Sequence, residues 1–99
     1  MSDTSTKYAR ELDRCGLTKL QEECGELIQI AAKKSAFFDL EVHPDGSVMK
    51  AKLIEEMGDV MAAIIHVCTY LDINYIAVEN RMEHKLKLFE SWKEKDSAV

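Results

Sequence analysis

Apolar residues return at helical spacing in three long stretches of the chain, with polar punctuation between them. Over residues 17–36, Leu17, Leu20, Cys24, Leu27, Ile28 and Ala31 recur every few positions, the period of one helix face. Residues 51–71 carry a wider arc, made by Leu53, Ile54, Met57, Val60, Met61, Ile64, Ile65, Cys68 and Leu71. An arc that wide predicts contact with more than one partner helix. Tyr75, Val78, Met82, Leu86 and Phe89 form one stripe of a third helix expected over 73–94. Residues 6–14 read as a shorter helix broken by Cys15-Gly16, and residues 1–5 as a small polar tail. Leu71-Asp72-Ile73-Asn74 marks the break before the third long helix. Residues 37–50 form a connector in which His43-Pro44-Asp45-Gly46 signals a turn and allows a minimal hairpin.

This pattern predicts an all-α protein with one domain over 1–99 and a core at about 6–94. The architecture expected is a small helical bundle of three long helices plus a shorter N-terminal one. Only four glycines and one proline interrupt the sequence, so long helices are permitted. Three amphipathic helices bring more apolar face than a 99-residue subunit hides. Completion of the bundle by homo-oligomerisation is therefore expected.

Composition narrows the function classes. The balance of 46% hydrophobic and 31% charged residues argues against disorder. A net charge of -5 argues against sequence-blind binding to nucleic acid, which needs a basic surface. It also means that a polyphosphate ligand would have to arrive with cations. Val60 to Val67 is the most apolar run and is too short to cross a bilayer, so no membrane is expected. Cys15, Cys24 and Cys68 make neither a disulfide framework nor a zinc pattern. With a polar opening, Met1 to Arg10, they predict reduced thiols in a cytoplasmic protein.

Two segments carry candidate chemistry: Glu22-Glu23-Cys24-Gly25-Glu26 and Glu55-Glu56-Met57-Gly58-Asp59. Residues three apart are neighbours on a helix. Glu23 with Glu26, and Glu56 with Asp59, thus form two carboxylate pairs that can each share a cation. Any single pair reads more simply as solvated surface, with Lys19 beside Glu23 and Lys52 beside Glu56. Angular position weighs against that for the set. At ~100° per residue, Glu56 projects inside the apolar arc of its helix and Glu23 lies at the edge of its own. Like charges at this spacing cost ~0.2–0.5 kcal/mol per pair, and partial burial of an unpaired carboxylate costs more. A bound cation would compensate. An all-carboxylate set suits magnesium or manganese rather than zinc. No Glu-x-x-His occurs, which disfavours a di-iron bundle. Gly25 and Gly58 sit inside the acidic helices at ~1 kcal/mol each relative to Ala, a cost that close helix approach would explain.

The two-part pattern, Glu22-Glu23-x-x-Glu26 and then Glu55-Glu56-x-x-Asp59, resembles the signature of the MazG-like all-alpha nucleoside triphosphate pyrophosphohydrolases. The words Glu-Cys-Gly-Glu-Leu-Ile and Leu-Ile-Glu-Glu-Met-Gly-Asp-Val resemble it too, and the likeness spans roughly residues 17–92. It implies Mg2+ held by Glu23, Glu26, Glu56 and Asp59, with Mn2+ as an alternative. It also implies hydrolysis of (deoxy)nucleoside triphosphates to the monophosphate and pyrophosphate, by a dimer or a dimer of dimers. Glu55 or Glu22 would orient or deprotonate the attacking water, although both also read as solvated acids. Arg81 and Lys85, four apart on the last helix, are candidates for gripping phosphate, with Lys33 and Lys34 equally ambiguous and ordinary surface charge the competing reading; the resemblance implies polar substrate contacts in the region of Asn80, which by angle points away from the apolar stripe. His66 follows Asp59 by two helical turns and reads as a packed histidine. Phe37, Phe38, Trp92 and the methionines read as core. Two rivals stand beside the triphosphate reading: a phosphoribosyl-nucleotide pyrophosphohydrolase, and a non-catalytic module with a structural cation.

Overall fold

In the computed structural model, which describes residues 14–98 and the side chains of residues 14–93, every regular element is helical. Three complete helices follow one another: α1, Leu17–Ala36; α2, Met49–Tyr70; and α3, Tyr75–Ala98. No strand occurs among the described residues. The shorter helix expected over 6–14 falls almost wholly outside them, and only Arg14 of it, followed by Cys15, is seen with helical backbone. No helix among the described residues is long and apolar enough to cross a membrane.

Local chemistry sets the helix ends. Gly16 precedes α1 with φ 78°, a left-handed conformation that favours glycine, and its carbonyl accepts the Leu20 N–H at 2.8 Å. Lys33 and Lys34 lie in the last turn of α1, where cations meet the negative end of the helix dipole. Lys34 Nζ donates to the Phe38 and Leu40 carbonyls, each at 2.8 Å. Beyond α2, the break at 71–74 places Asp72 at φ 54°, and Asn74 Oδ1 accepts the Ile76 N–H at 2.9 Å to cap α3.

The connector is a tight turn rather than a sheet. A single antiparallel bridge joins Val42 to Val48. His43 N–H donates to the Ser47 carbonyl at 2.9 Å and Gly46 N–H to the His43 carbonyl at 2.8 Å, with Gly46 at φ 92°. The His43 ring packs edge-on against Phe37, 4.8 Å between centroids.

Packing is concentrated between α1 and α2, which form an antiparallel hairpin of helices joined by the connector. Cys15, Ile30, Met49, Ala63, Val67 and Cys68 are its buried apolar residues. α3 makes no comparable contact with either helix. The radius of gyration, 18.0 Å, exceeds the ~13 Å of a compact domain of this size because α3 is not folded back.

Several sequence expectations change accordingly. Only one side of the wide α2 arc is covered, and Ile54, Met57, Met61 and Ile65 are about half exposed or more. Among the described residues Met49 is the one methionine in the buried core; Met57, Met61 and Met82 are exposed. Phe38 and Trp92 are exposed as well, and Phe37 is half-buried. His66 is exposed rather than core-packed, and its Nε2 lies 2.8 Å from the Arg14 carbonyl. Gly25 and Gly58 have open space where a Cβ would stand, so close helix approach does not account for them.

Candidate metal centre

The acidic words lie opposite each other across the α1–α2 interface. Each is preceded by a lysine in the same register, Lys19-x-x-Glu22-Glu23-x-Gly25-Glu26 and Lys52-x-x-Glu55-Glu56-x-Gly58-Asp59. On both helices the second glutamate turns inward, because it shares a face with the residues that pack the hairpin. Glu23 is 8% exposed and Glu56 only 2%. Glu26 and Asp59, one turn further on, stand at the exposed mouth. One carboxylate oxygen from each of Glu23, Glu26, Glu56 and Asp59 falls within a cluster 4.8 Å across.

The electrostatics of this cluster are unfavourable as it stands. Lys19 Nζ lies 3.4 Å from Glu23 Oε1, and Lys52 Nζ lies 3.0 Å from Glu56 Oε1. Each lysine reaches one oxygen. The other, Oε2 of Glu23 and of Glu56, is buried with no hydrogen-bond partner among the described residues. Glu26 is held above its ordinary value, first by the side chain of Glu56, with which a protonated Glu26 would share its proton. The charges of Glu23 and Glu56 add to the effect. Lys19 and Lys52 are both raised, first by their hydrogen bonds to Glu23 and Glu56 respectively. Buried carboxylate oxygens without donors, converging with two further carboxylates, are the donor set that a hard divalent cation takes.

Next to the cluster is an open cavity of about 350 Å3, lined by Glu26, Gln29, Ile30, Lys33, Asp45, Ser47, Lys52 and Glu56. Asp45, Ser47 and Gln29 were not visible in the sequence as site residues. The connector turn carries Asp45 and Ser47 to the acids only through its fold onto α1, where Lys33 Nζ meets Asp45 Oδ2 at 2.9 Å.

Searches of protein-family models, curated proteins and solved structures find no match to this chain. The residues themselves therefore carry the functional reading.

The other residues singled out by sequence are dispersed. Glu22 and Glu55 are exposed and face their lysines, Lys19 at 3.4 Å and Lys52 at 3.5 Å. Neither belongs to the four converging carboxylates. Arg81 and Lys85 border a shallow apolar groove on α3 with Ala77, Val78 and Met82, and Asn80 is exposed on the same helix. Within the chain only Lys33 of the proposed substrate contacts lies beside the acids.

Proposed function

We propose that this protein is a magnesium-dependent nucleotide pyrophosphohydrolase that cleaves (deoxy)nucleoside triphosphates to the monophosphate and pyrophosphate. One observation carries the reading. Four carboxylates from two helices converge, and two of them hold buried oxygens that have no hydrogen-bond donor among the described residues. The resemblance of the paired acidic words to the MazG-like signature supports the same activity.

Glu23, Glu26, Glu56 and Asp59 would hold the cation. Magnesium bound there would neutralise the triphosphate and make a water more acidic. The chain supplies the rest. Buried Glu23 and Glu56 would anchor the set, since the hairpin packs around them. Exposed Glu26 and Asp59 keep one side open to substrate. Glu55 or Glu22, exposed next to the inward glutamates, takes a proton from the attacking water. The water oxygen bonds to phosphorus, the bridging P–O bond breaks, and pyrophosphate leaves with that electron pair.

A chain that bound no cation would need the acids to be satisfied from within, whereas a non-catalytic module with a structural cation would satisfy them as the enzyme does and differ from it only in turning over no triphosphate. Lys19 and Lys52 go part of the way, but each reaches one oxygen of its glutamate and leaves Oε2 without a donor among the described residues. That partial pairing is too little to offset the burial of both carboxylates.

A second copy of the chain completes the fold in this reading. Among the described residues α3 makes no contact with another helix comparable to that between α1 and α2, and isolated helices are marginal in water. Its Met82, Leu86, Phe89 and Trp92, with Met57, Met61 and Ile65 of α2, offer the apolar surface for a dimer or tetramer.

Chromatographic product analysis over ribo- and deoxynucleoside triphosphates with Mg2+ tests the activity. Monophosphate and pyrophosphate are expected from the wild type and neither from Glu56→Ala. A folded wild type that turns over no triphosphate refutes it.

A further inference from the structure

The two lysines that end α1 look equivalent in sequence, but their surroundings differ. Lys34 is engaged by the Phe38 and Leu40 carbonyls and holds the helix end closed. Lys33 points to the cavity beside the acids, where it meets Asp45 of the connector. Asp45 is held by its own turn. Its Oδ1 accepts both the Ser47 N–H, at 2.9 Å, and the Ser47 hydroxyl, at 2.6 Å. Oδ2 is left for Lys33. The aspartate is thus a fixed anion presented to a flexible cation. These contacts, with Ser47 first and Lys33 second, hold the Asp45 carboxyl well below the usual carboxylate range.

We propose that Lys33 is the phosphate-holding residue of the site and that Asp45 occupies its ammonium in place of phosphate until substrate arrives. This rests on the metal-dependent reading above. Of the lysines on the cavity, Lys52 faces the acid Glu56, whereas the partner of Lys33 lies outside the carboxylate cluster. Both ends of the Lys33–Asp45 pair are more than 40% exposed, 44% and 42%, so separating them costs little. A phosphate offers Lys33 more charge and more acceptors than Asp45 does. Every residue lining the cavity except Ile30 carries a polar or charged group, and Glu56, whose buried Oε2 has no partner among the described residues, is one of them. A wall of that kind suits the phosphate chain of a nucleotide, and the base lies elsewhere. On phosphate binding, the connector tip loses its tie to α1.

The test is calorimetric titration with inorganic pyrophosphate in the presence of Mg2+, beside a titration with Mg2+ alone. Lys33→Met is expected to weaken pyrophosphate binding about tenfold, the scale of one charge-assisted hydrogen bond, with Mg2+ binding unchanged. Lys33→Arg keeps most of the affinity. Asp45→Asn retains the Ser47 contacts but removes the competing charge, so it tightens binding a few-fold. Lys34→Met leaves binding as in the wild type. Wild-type affinity in both Lys33→Met and Asp45→Asn, or weakening in both, overturns the proposal and leaves the metal centre standing. Absence of Mg2+ binding by the wild type overturns both.

Discussion

Lys52 Nζ sits 3.0 Å from Glu56 Oε1, one turn back on the same helix, while Glu56 Oε2 stays buried without a donor among the described residues. Lys52 is thus both a partial counter-ion and a competitor for whatever cation the carboxylate takes. Lys52→Met should lower the thermal stability of the metal-free protein and raise its Mg2+ affinity a few-fold. Unchanged Mg2+ affinity by calorimetry would separate the lysine from the cation site.

Glu56 itself should show opposite effects on stability and metal binding. Met at position 56 keeps the volume and removes a buried carboxylate whose Oε2 has no donor among the described residues, while Lys52, about half exposed, stays solvated. Metal-free Glu56→Met should therefore unfold at a higher temperature than wild type, by roughly 4–8 °C per kcal/mol. Saturating Mg2+ should stabilise the wild type, by about 2.7 kcal/mol at a hundredfold excess over Kd, and leave Glu56→Met unmoved. Thermal denaturation with and without Mg2+ reads both effects. A magnesium-induced rise retained in Glu56→Met would remove Glu56 from the ligand set.

Two titrations bend the pH profile of metal-free stability in opposite directions. Asp45 is lowered by Ser47 and Lys33, so its contribution is present above its ordinary value of 3.8 and lost on acidification below it. Glu26 is raised by Glu56 and Glu23, so its contribution is present below its ordinary 4.5 and lost as pH rises through the higher folded value. Their combined contribution should peak between 3.8 and 4.5. Asp45→Asn should flatten the acid side and Glu26→Gln the other, in unfolding curves taken from pH 3 to 7.

The glycines should divide. A Cβ at Gly16 would run into the His66 ring on a backbone at φ 78°, so Gly16→Ala should cost ~1–3 kcal/mol or more. Gly25 and Gly58 have nothing within 4 Å of that position, and Ala there should be neutral or stabilising by up to ~1 kcal/mol. Chemical denaturation of the three variants checks the contrast.

Sedimentation tests the second copy. The wild type should be a dimer or tetramer, and Leu86→Glu combined with Phe89→Glu on the exposed α3 stripe should yield a smaller species. A wild type that sediments as a monomer at assay concentration would count against oligomerisation.

The sequence by itself determined the helices and the pairing of acids within each. Periodicity predicted 17–36 and 51–71, against Leu17–Ala36 and Met49–Tyr70 observed, because an amphipathic repeat and helix-breaking turns are local signals. The spacing of Glu23 with Glu26, and of Glu56 with Asp59, placed each pair on one face for the same reason. The third helix runs on to Ala98, beyond the expected 94, since no breaker stops it there. Tertiary structure alone decided which side of the wide α2 arc is covered. Periodicity marks a face as apolar but not what packs on it, so Met57, Met61 and Ile65 read as core and emerged exposed. The relative register of α1 and α2 brought four oxygens into one cluster, and the fold of the connector set Asp45 against Lys33, twelve residues away. Those are contacts between segments, and their geometry depends on packing that no local pattern encodes.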